Sequence, residues 1–541
     1  MPTAPNWNFG DILDGLDAVY PADAPALIHA GVVTPWSEFA RRSNNLAASL
    51  RARGAAPDDK VAFYLRNRPE YTESLAACFK ARLVHVNVNY RYLDEELWYI
   101  FDNSDARIVV FDGEFAERVE KLHDRLPKVV AWVQVGGDPL AFAIPYESLA
   151  NSGSGRALGI PRDGKDLLFL YTGGTTGMPK GVMWSANDLW HALGAGANAP
   201  ANAGKPPETL EEHVANVTKA GPLAKQIPCC PLMHGTGLFT AIGTITGGGC
   251  VVTTPGHKFE PAELYDTIQR HQVNSLVIVG DAFAKPMLNA LDEHPGRWDI
   301  SSVKVIVSSG VMWSTEVKRG LLRHNAGMIL TDSFGSSEAV GFGSSIMTAA
   351  GEVKTAKFMI GDRCKVFTED HQEVVPGSGE KGFIARSGPI PVGYYKDPEK
   401  SAKTFPTIAG VRYSIPGDWC SVESDGTLTL LGRGSVCINT AGEKVYPEEV
   451  EEVLKAHETV HDALVVGVPD EKWGQMVTAV IQMESGKNLD EEALREFVRK
   501  RLAGYKTPKR ILTIENIGRA SNGKADYKSV TAYAKEQLGI A

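Results

Sequence analysis

Tyr171-Thr172-Gly173-Gly174-Thr175-Thr176-Gly177-Met178-Pro179-Lys180-Gly181 is the stretch whose reading decides the fold. The apolar run Leu167-Leu168-Phe169-Leu170 leads into it and reads as a buried strand ending at turn residues. A second short apolar run, Val182-Met183-Trp184, follows it, and Ser185, three residues before Asp188, opens a helix. Between the two strands, four glycines, three threonines and a lysine give up side-chain packing for close backbone access. Glycine lets main-chain N–H groups approach a ligand, and successive N–H groups make an anion-binding concavity. The threonine hydroxyls add donors, and Lys180 adds a point charge suited to phosphate. A Gly-rich hairpin with a surface lysine accounts for Gly174-Thr175-Thr176-Gly177 alone, but not for the whole run. The loop has neither Walker A spacing nor the G-x-G-x-x-G of dinucleotide turns, so those two nucleotide folds lose support.

Upstream, residues 1 to about 165 alternate helical and extended patterns. Trp36 to Ala52 repeats apolar positions at helical spacing and stops at Gly54. Lys60 to Leu65 reads as a strand, Tyr71 to Arg82 as a helix, and Val84 to Val88 and Ala106 to Phe111 as further strands. Such alternation favours a parallel sheet covered by helices. Pro200 to Ala215 reads as an exposed polar loop.

The chain of 541 residues is too long for one core and predicts two or more domains. Met1 to Asp11 is mixed and polar, with no basic-then-apolar leader, and no apolar run reaches the length that spans a bilayer. Seven scattered cysteines, with no C-x-x-C and no zinc-spaced histidines, read as small hydrophobes in a reducing compartment, hence the cytoplasm. The net charge of −9 argues against nucleic acid as a partner; any field that attracts an anion must be local.

Downstream, further segments carry candidate chemistry. Pro231-Leu232-Met233-His234-Gly235 follows a Cys-Cys pair. Leu276 to Asp281 and Val303 to Val307 read as buried strands, the second ending at Ser308-Ser309-Gly310. Then come Thr331-Asp332-Ser333-Phe334-Gly335-Ser336-Ser337-Glu338, Gly393-Tyr394-Tyr395-Lys396, Gly417-Asp418-Trp419 and Leu431-Gly432-Arg433-Gly434-Ser435. Gly442-Glu443-Lys444-Val445-Tyr446-Pro447 leads into a helix begun by Pro447. Asp462 to Val468 and Met476 to Met483 read as strands, and Asp490 to Leu502 as an amphipathic helix stopped by Gly504. Near the end stands Arg519-Ala520-Ser521-Asn522-Gly523-Lys524.

Taken in this order, the segments resemble the adenylate-forming superfamily of acyl-CoA synthetases, amino-acid adenylation domains and beetle luciferases. The match is strongest to fatty-acid and steroid-side-chain acyl-CoA ligases, which share Tyr-Thr-Gly-Gly-Thr-Thr-Gly and Gly-Glu-Lys-Val-Tyr-Pro-Glu-Glu-Val. The resemblance implies an α/β fold: a large N-terminal domain of parallel-rich sheets covered by helices (1–432) and a small mobile α+β C-terminal domain (433–541), hinged near 433–435. It implies ATP binding by Thr172, Gly173, Gly174, Thr175, Thr176, Gly177 and Lys180, and by Ser309, Gly310 and the run from Asp332 through Ser333, Phe334, Gly335, Ser336 and Ser337. Asp418 and Arg433 match ribose contacts; a carboxylate, with several lone pairs, suits a vicinal diol. Glu338 and Thr176 are the implied Mg²⁺ ligands, a hard ion taking one or two carboxylates plus phosphate oxygens. Lys524, Glu338 and Thr176 form the implied catalytic set. His234, Gly235 and Gly310 border the acyl pocket, and Gly442, Glu443 and Lys444 the coenzyme A channel. The segment at Gly393 matches a structural turn without chemistry.

The implied reaction joins a hydrophobic carboxylic acid to coenzyme A through acyl-AMP, with ATP, Mg²⁺ and coenzyme A as cofactors. Its partners are small molecules, and a homodimer is an expectation. No aspartate stands in Pro231 to Thr240 to pair with an ammonium group, which favours a plain acid over an amino acid. Departures are Gly173 for the family's serine, Ser435 at the hinge, where aspartate or lysine is usual, and Gly518 where proline is usual. Two alternatives stay open: an adenylating enzyme passing its acyl group to a carrier protein or another acceptor, and a catalytically silent nucleotide-binding regulator. Intact Lys524, Glu338 and Asp418 argue against the regulator.

Overall fold

The computed structural model describes residues 6–172, 178–196, 204–220, 224–310, 313, 315–351, 357–433, 438–441, 443–445, 447–517 and 527–540, with backbone alone at 357, 431–433, 444, 448, 449 and 452. By contact these residues group into two compact units. The first holds 1–88, 101–171 and 181–431, and the second 89–100, 172–180 and 432–541.

Two sheets build the first unit. In the larger, Pro25–His29, Cys250–Thr253, Lys225–Pro228, Ser275–Ile278, Val305–Ser309 and Ile329–Ser336 pair in parallel in that order. From Ala339–Met347 onward the same sheet continues antiparallel. At the heart of the smaller sheet, Leu167–Thr172, Val84–Asn87, Lys60–Tyr64, Ala106–Asp112 and Ala131–Val135 run in parallel. These inner strands are buried almost throughout, which is why they read as apolar runs without alternation. The expected class, α/β with large parallel-rich sheets covered by helices and a smaller α+β part, is the one observed.

Local signals placed the covering helices well. Trp36–Ala52 is a helix over the predicted span, with Trp36, Phe39, Leu46 and Leu50 on its buried face. Ser185 caps Ala186–Ala192, its Oγ accepting from the Asp188 N–H at 3.0 Å. The predicted loop from Pro200 to Ala215 is corrected at its end, because Leu210–Ala220 is helical. Leu210, Val214 and Val217 recur at helical spacing there, and Gly15 on the helix Phe9–Val19 makes room for the first two: a Cβ on Gly15 would stand 3.0 Å from Val214 Cγ2. Leu210 and Val214 lie inside the segment read as polar, which hid the period.

His85 is buried on the strand Val84–Asn87 of the smaller sheet, its Nε2 3.0 Å from Tyr71 Oη and its Nδ1 3.3 Å from the Phe169 carbonyl oxygen. Burial pulls its pKa down from the usual 6.5 to about 3. The folded ring therefore stays neutral where an unfolded one takes a proton. The stability this represents is complete above pH 6.5 and is lost as pH falls towards 3. The slope approaches about 1.4 kcal/mol per pH unit. Urea unfolding at pH 7.5 and 5.5 should show that loss, and His85→Gln should flatten it. An unchanged slope in the variant assigns the acid sensitivity elsewhere.

In the second unit, Val460–Asp470 and Gly474–Met483 form a long antiparallel hairpin, with Arg510–Thr513 added in parallel. Asp490 caps the helix Glu491–Arg499, accepting from the Ala493 N–H at 3.0 Å, and Leu494 and Val498 face the core as the amphipathic pattern predicts. The segment 89–100 belongs to this unit. Glu96 Oε1 lies 2.8 Å from Lys506 Nζ, both side chains buried, and Asn89 Nδ2 donates to Tyr505 Oη at 3.1 Å.

Candidate active site

The parallel register of the larger sheet sets Ile278 beside Ser308, Ser308 beside Asp332, and Ser309 beside Ser333. Of the predicted nucleotide residues, Ser309, Asp332 and Ser333 therefore gather where these strands end, the usual ligand crevice of an open α/β sheet. Ser308 Oγ accepts from the Gly280 N–H at 2.9 Å, tying two adjacent strand ends together. Gly310 follows with φ +94°, a left-handed turn that favours glycine. Asp332 is buried and ion-paired with Lys318 on the helix Thr315–His324, whose ammonium lies 5.3 Å from the Trp313 ring centroid. Burial raises the Asp332 pKa and Lys318 pulls it back; the net direction is up. Phe334 is buried with its ring against Phe342 and Phe358, each 5.2 Å away.

Ile329–Ser336 and Ala339–Met347 are joined by a hairpin in which Ser336 pairs with Ala339, leaving Ser337 and Glu338 as the turn. A Cβ on Gly335 would stand 3.0 Å from the Ala339 carbonyl oxygen, a tight contact that leaves little room for a side chain. The turn is held on several sides. Trp184 Nε1 donates to the Ser337 carbonyl at 2.9 Å, Ser414 Oγ donates to the Glu338 carbonyl at 2.6 Å, and the Glu338 N–H donates to Ser336 Oγ at 3.2 Å. Tyr394 Oη donates to Glu338 Oε1 at 2.8 Å. Among the described residues no cation is ion-paired with this half-buried carboxylate.

His234 stands at the N-cap of the helix Gly235–Thr246 in an extended conformation, without a side-chain cap hydrogen bond. A Cβ on Gly235 would meet Leu170 Cδ2 at 3.1 Å, so the helix N-terminus lies against the strand that leads into the Gly/Thr loop. Asp418 is buried at the start of Asp418–Val422, after Gly417 at φ +98°. Three strands separate it from Ile329–Ser336 in the same sheet, so strand pairing does not bring it beside Asp332.

In the second unit, Thr172 ends one strand and Lys180 begins the next, and Tyr99 Oη donates to the Pro179 carbonyl at 3.1 Å. Glu443 is buried and ion-paired with Arg91 at 3.0 Å, while Lys444 pairs through its backbone with Asn439. Arg433 ends the strand Thr427–Arg433. Gly173, Gly174, Thr175, Thr176, Gly177, Ser435, Gly442 and Lys524 lie outside the described residues.

Residues 17–395 match the family model of the AMP-binding enzyme, and residues 449–524 that of the AMP-binding enzyme C-terminal domain. The chain belongs to the AMP-binding enzyme family. It is 39% identical to a 3-oxocholest-4-en-26-oate–CoA ligase of Rhodococcus rhodochrous, the alignment covering 98% of this chain and 96% of the relative. It is 40% identical to a medium/long-chain-fatty-acid–CoA/3-oxocholest-4-en-26-oate–CoA ligase of Mycolicibacterium smegmatis, over 96% of this chain and 95% of that one. Among solved structures, an amide bond synthetase from Marinactinospora thermotolerans superposes with a TM-score of 0.78 at 22% identity, covering 97% of this chain and 99% of the other, which establishes a shared fold.

Membership in a family of enzymes makes the position of Glu338 informative. A half-buried carboxylate with one oxygen held by a phenol and no cation beside it among the described residues fits a hard divalent ion that also binds phosphate oxygens. Tyr394 itself escaped the sequence reading, which took its segment for a plain turn. Gly393–Tyr394 is instead an edge strand pairing with Met183 and Val182, and the contact with Glu338 crosses 56 residues of chain. No local pattern signals such a contact. Lys318 escaped likewise, as one lysine on an amphipathic helix whose partner lies on a strand.

Proposed function

We propose that the enzyme is an ATP-dependent acyl-CoA ligase for a hydrophobic monocarboxylic acid, either a medium- to long-chain fatty acid or a steroid side-chain acid. The observation that carries this reading is the Glu338 hairpin tip, a carboxylate without an ion pair among the described residues, on the turn that follows the last parallel strand of the larger sheet. Relatives over nearly the whole chain are named as CoA ligases for such acids, which supports the choice of substrate.

A carboxylate is a poor acyl donor because its leaving group would be oxide. In the first half-reaction its oxygen attacks the α-phosphorus of ATP and pyrophosphate departs, leaving acyl-AMP. The thiol of coenzyme A then attacks the acyl carbon, AMP leaves with the bonding electrons, and the thiol proton is released. The first step sets anion against anion, so the protein's task is mostly electrostatic. Lys524, Lys180 and the N–H groups of 173–177 supply positive charge and donors at the phosphates. The N-terminus of Gly235–Thr246, behind His234, suits a substrate carboxylate. Mg²⁺, held by Glu338 and Thr176, would screen phosphate charge as a Lewis acid. The reading keeps domains at 1–432 and 433–541, with a hinge near 433–435 that lets Lys524 serve the first half-reaction and Gly442 the second. It also keeps the cytoplasm, on the strength of the free cysteines, and a homodimer, which sedimentation tests.

Pyrophosphate release measured across a panel of acids, with and without coenzyme A, tests the reading. Formation of a CoA thioester is the expected outcome. Turnover only with a carrier protein or another acceptor selects the alternative enzyme, and no release with any acid selects a silent nucleotide binder. A relative at 40% identity is named for medium/long-chain fatty acids, so chain length should matter. Each added methylene should raise kcat/KM by up to about four-fold, from about 0.8 kcal/mol per buried CH₂, until the pocket is full. A preference for acetate or for an amino acid overturns the assignment.

A further inference from the structure

Glu338 sits on a two-residue turn whose backbone is already committed: its N–H goes to Ser336 Oγ, and its carbonyl accepts from Ser414. Those bonds fix the main chain but leave the carboxylate free to rotate. Among the described residues, one side-chain hydrogen bond restrains that rotation, from Tyr394 Oη to Glu338 Oε1 at 2.8 Å. Tyr394 is itself rigid. Its backbone pairs with Val182, its N–H donates to Ser401 Oγ at 2.8 Å, and its ring is buried with the Phe405 ring 5.7 Å away. The neighbouring Tyr395 N–H donates to the Gly181 carbonyl at 2.8 Å. The tyrosine is therefore registered against the strand that emerges from the Gly/Thr loop.

We infer that Tyr394 is a positioning residue for the metal-nucleotide site: its phenol holds one oxygen of Glu338 so that the other is presented to the divalent ion. This rests on the role proposed above for Glu338. A carboxylate that must lose rotational freedom on binding gives up part of its affinity, and a buried phenol removes that cost in advance. Hydrogen-bond partners of metal-ligating groups typically change metal affinity by 10–100-fold when deleted. Because the Tyr394 ring is packed and its hydroxyl is the working atom, phenylalanine deletes the bond while keeping the shape.

The test uses the full-length enzyme without an acid substrate, so that nothing turns over, and Mn²⁺ as the probe ion. Free Mn²⁺ is followed by electron paramagnetic resonance in the presence of ATP, and metal-free ATP binding is followed in chelator. Tyr394→Phe should weaken binding of the Mn²⁺–ATP complex by about 10-fold. Metal-free ATP affinity and thermal unfolding should stay at wild-type values. In a Glu338→Gln background, adding Tyr394→Phe should change nothing further, because the residue acts through the carboxylate. Equal weakening of metal-bound and metal-free ATP would make the tyrosine merely structural and overturn the inference. So would an unaltered Mn²⁺–ATP affinity, or a full effect in the Glu338→Gln background. A wild-type enzyme that binds ATP equally with and without Mn²⁺ would instead remove Glu338 from the metal site, and this inference with it.

Discussion

Replacing Lys524 by alanine is expected to slow acyl-adenylate formation by about 10²–10³-fold, the scale on which one preorganised charged donor contributes to a transition state. In the proposed reaction a carboxylate approaches a phosphate, and negative charge accumulates on both the α-phosphoryl oxygens and the departing pyrophosphate. A lysine is a compact cation on a flexible arm and can follow that charge. The half-reactions separate its role from a structural one. Supplied with preformed acyl-AMP and coenzyme A, Lys524→Ala should form thioester at close to the wild-type rate, since the step that needs the lysine is bypassed. Equal loss in both half-reactions would place Lys524 among residues that support the fold of the C-terminal part.

Glu338→Gln should lower kcat/KM for pyrophosphate release by about 10²-fold at ordinary Mg²⁺ concentrations, within the several kcal/mol a metal ion contributes to phosphoryl chemistry. Glutamine keeps the size and one acceptor oxygen, so the hairpin, whose bonds to Trp184, Ser414 and Ser336 use backbone atoms of the turn, should stand. What it loses is the negative charge that a hard cation requires. Raising Mg²⁺ should recover part of the rate, which a collapsed turn could not do. A loss that no Mg²⁺ concentration relieves would mean that Glu338 works by another route.

Much of this enzyme was legible before its structure. The helix Trp36–Ala52 was readable to its ends because its apolar positions recur at helical spacing within one segment. The Ser185 cap was readable because a hydroxyl three residues before an acceptable N–H is a local signal. The buried parallel strands announced themselves as apolar runs bounded by turn residues. The helix Leu210–Ala220 was missed because its inward face mixes Leu210, Val214 and Val217 with a histidine, His213, and that side is revealed by packing against Gly15, Gly248 and Trp190.

The site divides along the same line. Candidate chemistry carried by one short segment could be proposed before the structure, the Gly/Thr loop and its lysine from residue types and spacing, and Glu338 after Ser336-Ser337 from the family resemblance. A group proposed to meet a phosphate needs glycine, hydroxyl and charge at close quarters, and that need is written into neighbouring positions. Partners that hold those groups in place were not readable. Tyr394 reaches Glu338 across 56 residues, Lys318 reaches Asp332 from a helix to a strand, and Lys506 reaches Glu96 across 410 residues. A tyrosine or lysine carries no local mark of its distant partner, because the partner is chosen by strand register and by which surfaces share burial. Sequence alone therefore determined the fold class and the order of the family's motifs. Tertiary structure alone decided how Glu338 is held, since a hydrogen bond depends on distance and angle, and those exist only once the strands have paired.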